Sequence, residues 1–178
     1  MAEARLIPPI RRATIDDAAA LADLGRRTFL DTFGADNSPE DLVAFLDGTY
    51  TELIQREELA ASHLTYFLAE ADCGPVGFAL LRRDKTPAFI NDPTAIELQR
   101  LYVDRGWHGS GLAQALMATC VQEAAASGAG SLFLGVWERN AKALRFYAAQ
   151  GFEMVGSQVF MLGSDAQTDL VMRKRLAD

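Results

Sequence analysis

Apolar positions along the chain change period several times, and each change marks an element. From Thr14 onward Ala18, Leu21, Leu24 and Phe29 recur at helical steps, which predicts a helix over about 14–33 with that stripe buried. Thr14 can cap it, Asp16 and Asp17 sit in its positive first turn, and Gly34 stops it. Ser38 then caps a second helix through "EDLVAFLDGTY", with Pro39 at the first helical position, and Thr51 starts a third, "ELIQREELAA". Ahead of these helices "LIPPIRRA" (6–13) reads as a short strand, confined by its two prolines to an edge or to the end of a bulge.

Beyond residue 62 the pattern shortens to strands. "HLTYFLAEAD" (63–72) and "VGFALLRRD" (76–84) are predicted strands joined by the turn Asp72-Cys73-Gly74-Pro75. "AIELQRLYV" (95–103) alternates in part, and its period places Glu97, Gln99 and Leu101 on one face, with Leu98 and Arg100 on the other. A helix of about 110–127, with Leu116 and Val121 inward, ends at Ser127-Gly128. "SLFLGVW" (131–137) reads as a buried strand, and a helix from Asn140 to Gln150 is closed by Gly151. "FEMVGSQVF" and "TDLVMRKRL" complete an antiparallel pair. No repeat, low-complexity tract or composition break interrupts this order. It predicts one domain over 1–178, of mixed α/β (α+β) class with a βαβα unit in its second half, rather than a regular doubly wound alternation. A chain of 178 residues is long enough to bury about two-thirds of its unfolded surface.

Charge narrows the partners. A net charge of −7 disfavours nucleic acid, whose phosphates need a basic footprint, and suits a cationic small molecule better. Cys73 and Cys120 do not form a disulfide framework or a metal motif, and His63 and His108 are the only histidines, so no metal is expected. No run approaches 18 uninterrupted apolar residues, and "MAEARLIPPIRRA" lacks the apolar stretch of a signal peptide. The expectation is a cytoplasmic protein with no membrane partner.

The candidate chemistry begins in "YVDRGWHGSGLAQALM" (102–117), a glycine-rich turn between a strand and a helix. A P-loop would need Lys and Ser or Thr where Leu112 and Ala113 stand, and a dinucleotide fingerprint would need glycine where Gln114 stands. The spacing (Gln/Arg)-x-x-Gly-x-(Gly/Ala) fits His108-Gly109-Ser110-Gly111-Leu112-Ala113. Backbone N–H groups at such a helix start can wrap a pyrophosphate without metal; equally, glycines there can serve tight geometry alone.

Downstream, "LGVWERNAKALRFYAAQGFEMVG" (134–156) carries N-x-x-A-x-x-F-Y-x-x-x-G-F at Asn140, Ala143, Phe146, Tyr147, Gly151 and Phe152. With the turn at 108–113, about thirty residues earlier, this pattern resembles the GNAT superfamily of acyl-CoA-dependent N-acetyltransferases. The resemblance covers roughly 95–156. It implies a GNAT fold with a mixed, mostly antiparallel sheet of six to seven strands and four to five helices. Its fourth and fifth strands (95–103 and 131–137) splay apart around the pantetheine arm of acetyl-CoA. On that resemblance, backbone groups of Leu101, Tyr102 and Val103 bond the pantetheine, and His108 to Ala113 hold the pyrophosphate. Asn140 and Phe146 complete the cofactor site, and Tyr147 matches the tyrosine that protonates the departing CoA thiolate. A phenol has the acidity for that proton transfer, although Tyr147 could instead simply pack beside Phe146. Glu97 stands where some members carry the base that deprotonates the amine; its other reading is a strand glutamate paired with an arginine. His108 departs from the family's usual Gln or Arg. Its ring N–H could face a phosphate, or the backbone alone could matter there.

"RRTFLDTFGADNSPEDLVAFL" (26–46) resembles the same region of bacterial PaiA-like polyamine N-acetyltransferases, through Phe29, Thr32, Phe33, Gly34, Asn37, Ser38, Glu40 and Asp41. This implies an acceptor such as spermidine or spermine, met by Asp31, Asp36 or Asp41 and lined by Phe29, Phe33 and Trp137. The acids could also be helix-start residues in solvent. The implied reaction is direct attack of an amine on the thioester, since neither cysteine has a histidine–acid pair to suggest a covalent intermediate. The rival is a CoA-binding regulatory or assembly module without turnover. Participation of the C-terminal strands in a homodimer is also implied by the resemblance.

Overall fold

A computed structural model describes residues 6–176; residues 1–5, which begin the stretch read as lacking a signal peptide, and 177–178 lie outside the described residues. The chain runs β1 (Ile10–Arg12), α1 (Ala18–Phe33), α2 (Pro39–Thr49), α3 (Glu52–Ala60), β2 (Leu64–Ala71), β3 (Gly74–Arg82) and β4 (Ile96–Val103). It continues with α4 (Leu112–Ala126), β5 (Ser131–Trp137), α5 (Ala141–Ala149), β6 (Glu153–Leu162) and β7 (Asp165–Arg175). The strands form one seven-stranded sheet in the order β1-β2-β3-β4-β5-β7-β6. Every neighbouring pair is antiparallel except β4–β5, which is parallel.

The predicted caps act as expected at the second and third helices. Ser38 Oγ accepts from the Asp41 N–H at 3.1 Å, and Thr51 Oγ1 from the Ile54 N–H at 3.2 Å. The first helix differs: a single tight turn, Ile15–Asp17, precedes α1, and Asp17 accepts from the Thr14 N–H while also pairing with Arg11 of β1. The predicted strand 6–13 shortens to Ile10–Arg12, because Pro8 and Pro9 cannot donate to a ladder. The expected four-residue turn at 72–75 tightens to Asp72-Cys73, with Gly74 at φ +107° and Pro75 already paired beside a bulge at Ala69/Glu70. β6 and β7 run further than predicted, to a two-residue turn where Gly163 has φ +60°.

Two apolar layers sandwich the sheet. Leu98 of β4 and Leu132, Leu134 and Val136 of β5 pack with Leu112, Leu116 and Met117 of α4 and with Tyr147 of α5. The opposite face buries Phe78 and Leu80 against Leu21 and Leu24 of α1 and Leu42 and Leu46 of α2. Fully burying side chains of this size is worth about 1.5–3 kcal/mol each.

Two irregularities shape what lies between the layers. β4 and β5 pair only at Ile96–Leu132 and Glu97–Phe133, then part, so the predicted splay begins two residues into β4. β4 also carries a bulge, since Leu80 opposes Arg100 whereas Leu81 opposes Leu98. The extra residue flips the phase expected from simple alternation. Leu101 joins Ile96 and Leu98 in the α4 layer, while Arg100 turns to the other face, where it meets Glu58 and Tyr66.

Candidate active site

The parted strands open a cleft of about 840 Å³ that runs from the glycine turn to the N-terminal helices. Its β4 wall offers backbone groups. The Asp104 N–H bonds the Val76 carbonyl at 2.8 Å, and bonded and non-bonded pairs alternate along an antiparallel ladder. Tyr102–Phe78 is therefore a bonded pair, so Tyr102 spends its backbone groups on β3. Leu101 and Val103 turn theirs toward β5 and the cleft. The expectation that all three residues present backbone partners fails at Tyr102; Leu101 and Val103 remain, the Val103 carbonyl already being met by His108 Nε2. The Tyr102 side chain lines the cleft, its phenol held well above the ordinary range by burial.

At the turn, Gly109 and Gly111 adopt φ +77° and +91°, which side-chain-bearing residues rarely hold. The N–H groups of Gly109, Gly111, Ala113 and Gln114 make no hydrogen bond to a described residue, and they cluster at the positive end of α4. Such a cluster fits a pyrophosphate. Ser110 does not line the cleft; its hydroxyl donates to the Trp107 carbonyl at 2.7 Å and braces the turn.

Of the two readings open for His108, a ring N–H on phosphate or a role for its backbone alone, the ring geometry disfavours the first. Its Nε2 lies 2.9 Å from the Val103 carbonyl oxygen, which can only accept, and its Nδ1 lies 3.3 Å from Lys142 Nζ, which can only donate. With these partners Nε2 is the donor and Nδ1 the acceptor, so the Nε2 side of the ring is committed to β4. What it delivers to the turn is Lys142, a cation that sequence reasoning missed; only its place two residues after Asn140 pointed there.

Across the cleft α5 presents the second motif. Asn140 caps α5, its Oδ1 accepting from the Ala143 N–H at 3.1 Å, which leaves the amide Nδ2 free to donate. Phe146 and Tyr147 line the cleft, and Tyr147 stands edge-on to Phe146 and Phe152. The Tyr147 hydroxyl makes no hydrogen bond to a described residue, and burial pushes its pKa up, with Cys120 a smaller cause. Cys120 is itself buried, its thiol pushed up to about 12, and so holds its proton instead of offering a nucleophile.

The far end of the cleft is aromatic and acidic. Phe33 and Trp137 meet at 6.1 Å edge-to-face, and Phe29, itself buried, stacks on Phe45 at 4.5 Å behind them. Asp31 lines this end, but Asp36 does not. Asp41 is pinned elsewhere: it accepts from the Ser164 N–H at 2.7 Å and from Ser38, and these bonds lower its pKa. Asp169 of β7 also lines the cleft, and burial raises its carboxyl to about 6. Nothing near Asp169 in the chain marked it, because its neighbours in space come from β5 and β6.

Glu97 is not brought together with Tyr147. It lies in an adjoining depression of about 660 Å³ with Arg82 and Asp84, separated from the main cleft by Gln99, which borders both. Burial raises its pKa, opposed by Arg82 directly across the ladder. Among the described residues no cluster of His, Cys, Asp and Glu could hold a metal ion, and no helix is long and apolar enough to cross a membrane.

The model of the acetyltransferase (GNAT) family matches residues 27–152. A protein of Lactobacillus delbrueckii subsp. lactis named as an uncharacterized N-acetyltransferase is 35% identical over 153 residues, 86% of this chain and 88% of that one. A similarly named protein of Mycobacterium tuberculosis is 35% identical over 160 residues, 90% and 98% of the two chains. Among solved structures, the PaiA N-acetyltransferase of Thermoplasma acidophilum in complex with coenzyme A superposes with a TM-score of 0.78 at 22% identity. That match covers 94% of this chain and 98% of the other. An acetyltransferase of Salmonella typhimurium with acetyl-CoA superposes with a TM-score of 0.64 at 18% identity, covering 96% and 94%.

Proposed function

The chain belongs to the GNAT family of acetyltransferases and is an acetyl-CoA-dependent N-acetyltransferase, and on that premise we propose that its acceptor is a polyamine such as spermidine or spermine. The observation that carries this reading is the far end of the cleft. There the Phe33–Trp137 pair stands beside Asp31 and Asp169, two carboxylates without an ion pair to any described residue. Aromatic faces and unpaired carboxylates together attract a chain of ammonium groups joined by methylenes. The resemblance of 26–46 to polyamine acetyltransferases points the same way.

In this reading the N–H groups of Gly109, Gly111, Ala113 and Gln114 take the pyrophosphate, with Lys142 alongside. Leu101 and Val103 receive the pantetheine amides through their backbone groups, and Asn140 donates from Nδ2. Bound acetyl-CoA supplies the activated acetyl group. A β4 backbone N–H polarises its carbonyl, and Tyr147 hands its proton to the leaving sulfur. Two substrates held in one cleft react as neighbours, with no covalent enzyme intermediate. An unbonded tyrosine hydroxyl facing the cleft favours turnover over a CoA-binding module.

The test is single-turnover CoA release from acetyl-CoA with spermidine, spermine, monoamines, aminoglycosides and peptide N-termini. Polyamines should give the highest kcat/KM. Preference for any other class by more than tenfold would overturn the polyamine reading.

A further inference from the structure

The reaction needs a group to take the proton of the attacking amine, and the sheet register singles one out. Continuing the Ile96–Leu132 and Glu97–Phe133 register places Gln99 level with Gly135, where the strands have parted. On β5, Phe133, Gly135 and Trp137 face away from α4 and α5, toward the helices that carry Phe33. On β7, Asp169 shares that face with Val171, which packs on Phe133. Asp169 opposes Trp137 in the ladder but leans along it: a Cβ at Gly135 would stand 3.1 Å from Asp169 Oδ2 and 2.9 Å from the neutral Gln158 Nε2, which shares that space. The missing side chain leaves this carboxylate at the mouth of the split. Glu97 lies level with Phe133, where the strands are still joined.

We infer that Asp169, rather than Glu97, is the base that deprotonates the acceptor amine at the split, working from the sheet face opposite Tyr147. Its carboxylate accepts no hydrogen bond and makes no ion pair with a described residue. Tyr147 packs with Leu134 and Val136 on the α4 side. Amine and sulfur are thus served from opposite faces of one slot.

Protons balance across it. The arriving ammonium gives one proton to Asp169, which releases it to solvent. The amine nitrogen bonds the acetyl carbon as the carbon–sulfur bond breaks, the sulfur takes the Tyr147 proton, and the nitrogen's second proton restores the phenol. Charged or titratable groups lining the same cleft are Asp31 of α1, Arg100 and Tyr102 of β4, and Arg105, His108, Lys142 and Tyr147 around the turn and α5. On β6 the partner opposite Asp169 is the neutral Gln158. Arg100 is committed to Glu58, and burial alone raises the Asp169 carboxyl to about 6, which suits a base near neutral pH.

The inference rests on the acetyltransferase reading but not on the polyamine one, so it is tested with whichever amine of the panel turns over. Acetyl-CoA hydrolysis, with water in the amine's place, gives an acceptor-independent version. Asp169→Asn should lower kcat at least 100-fold at pH 7 with unchanged KM for acetyl-CoA. Glu97→Gln should stay within threefold. Wild-type kcat should fall below pH about 6, and Asp169→Ala should regain activity with added acetate. A loss of less than threefold in Asp169→Asn, or a loss in Glu97→Gln that acetate rescues, overturns it. If Asp169→Asn does not fold, absence of the acid limb in the wild-type kcat profile overturns it equally.

Discussion

Lys142 on α5 donates to His108 at the end of the glycine turn, Nζ to Nδ1 at 3.3 Å, joining residues 34 positions apart. The two sides of the cleft are thereby linked at the glycine turn, because the other nitrogen of the same ring bonds Val103 of β4. Lys142→Met should raise the KM for acetyl-CoA about 5- to 20-fold, as expected for an exposed charge facing phosphate, and leave kcat within twofold. His108→Ala should give part of the same loss. Adding it to Lys142→Met should cost little more, because one acts through the other. Calorimetric titration with CoA at two salt concentrations checks both.

Tyr147→Phe keeps the ring packed on Phe146 and Phe152 and removes only the proton. Single-turnover transfer should slow at least 100-fold while CoA affinity stays unchanged. Burial raises the phenol above its ordinary value, so the proton-donating form persists through physiological pH, and the wild-type rate should show no basic limb below about pH 10.

Asp169 should be a liability for stability. Its carboxyl rises from 3.8 to about 6 on folding, so the folded state binds the proton more tightly. The resulting stabilisation is complete below pH 3.8 and is lost as pH rises through 6. For a half-buried group the loss is on the order of 1–3 kcal/mol. Asp169→Asn should therefore raise Tm at pH 7–8, and the gain should vanish near pH 4. Thermal denaturation across that range measures it, and a variant more stable yet slower would be the stability–activity trade expected at a working site.

Arg100 holds the bulged strand to α3. Its guanidinium grips Glu58 at 2.8 and 3.0 Å, lies 2.5 Å from the Tyr66 hydroxyl and covers the Tyr50 ring at 5.2 Å. Arg100→Met leaves Glu58 without its ion-pair partner, holding only the Tyr66 hydroxyl, and should cost about 3 kcal/mol, a fall in Tm of about 10 °C. Adding Glu58→Gln should recover part of it, a non-additivity that denaturant melts of the three variants would show.

Much of the molecule was legible in the chain. Caps such as Ser38 and Thr51, the stripe of Leu21 and Leu24, and the glycines at 109 and 111 are signals within one turn of backbone, so element order and the glycine turn could be read directly. The spacing of Asn140, Phe146 and Tyr147 on one short helix was equally local, and so was the class of reaction it implied.

What the chain left open depends on partners far away in sequence. Alternation could not foresee the bulge that moves Leu101 and Arg100 to opposite faces, because a bulge exists only against β3. Residue type left His108 between a ring contact to phosphate and a role for its backbone alone, and only the Val103 carbonyl and Lys142 show where its ring goes. Glu97 and Asp169 are both acids on strands, and composition cannot rank them. The register of β4 on β5 and of β7 on β5 puts Glu97 where the sheet is closed and Asp169 where it opens. Local propensity determines elements, whereas long-range pairing determines which carboxylate loses its neighbours and its water together.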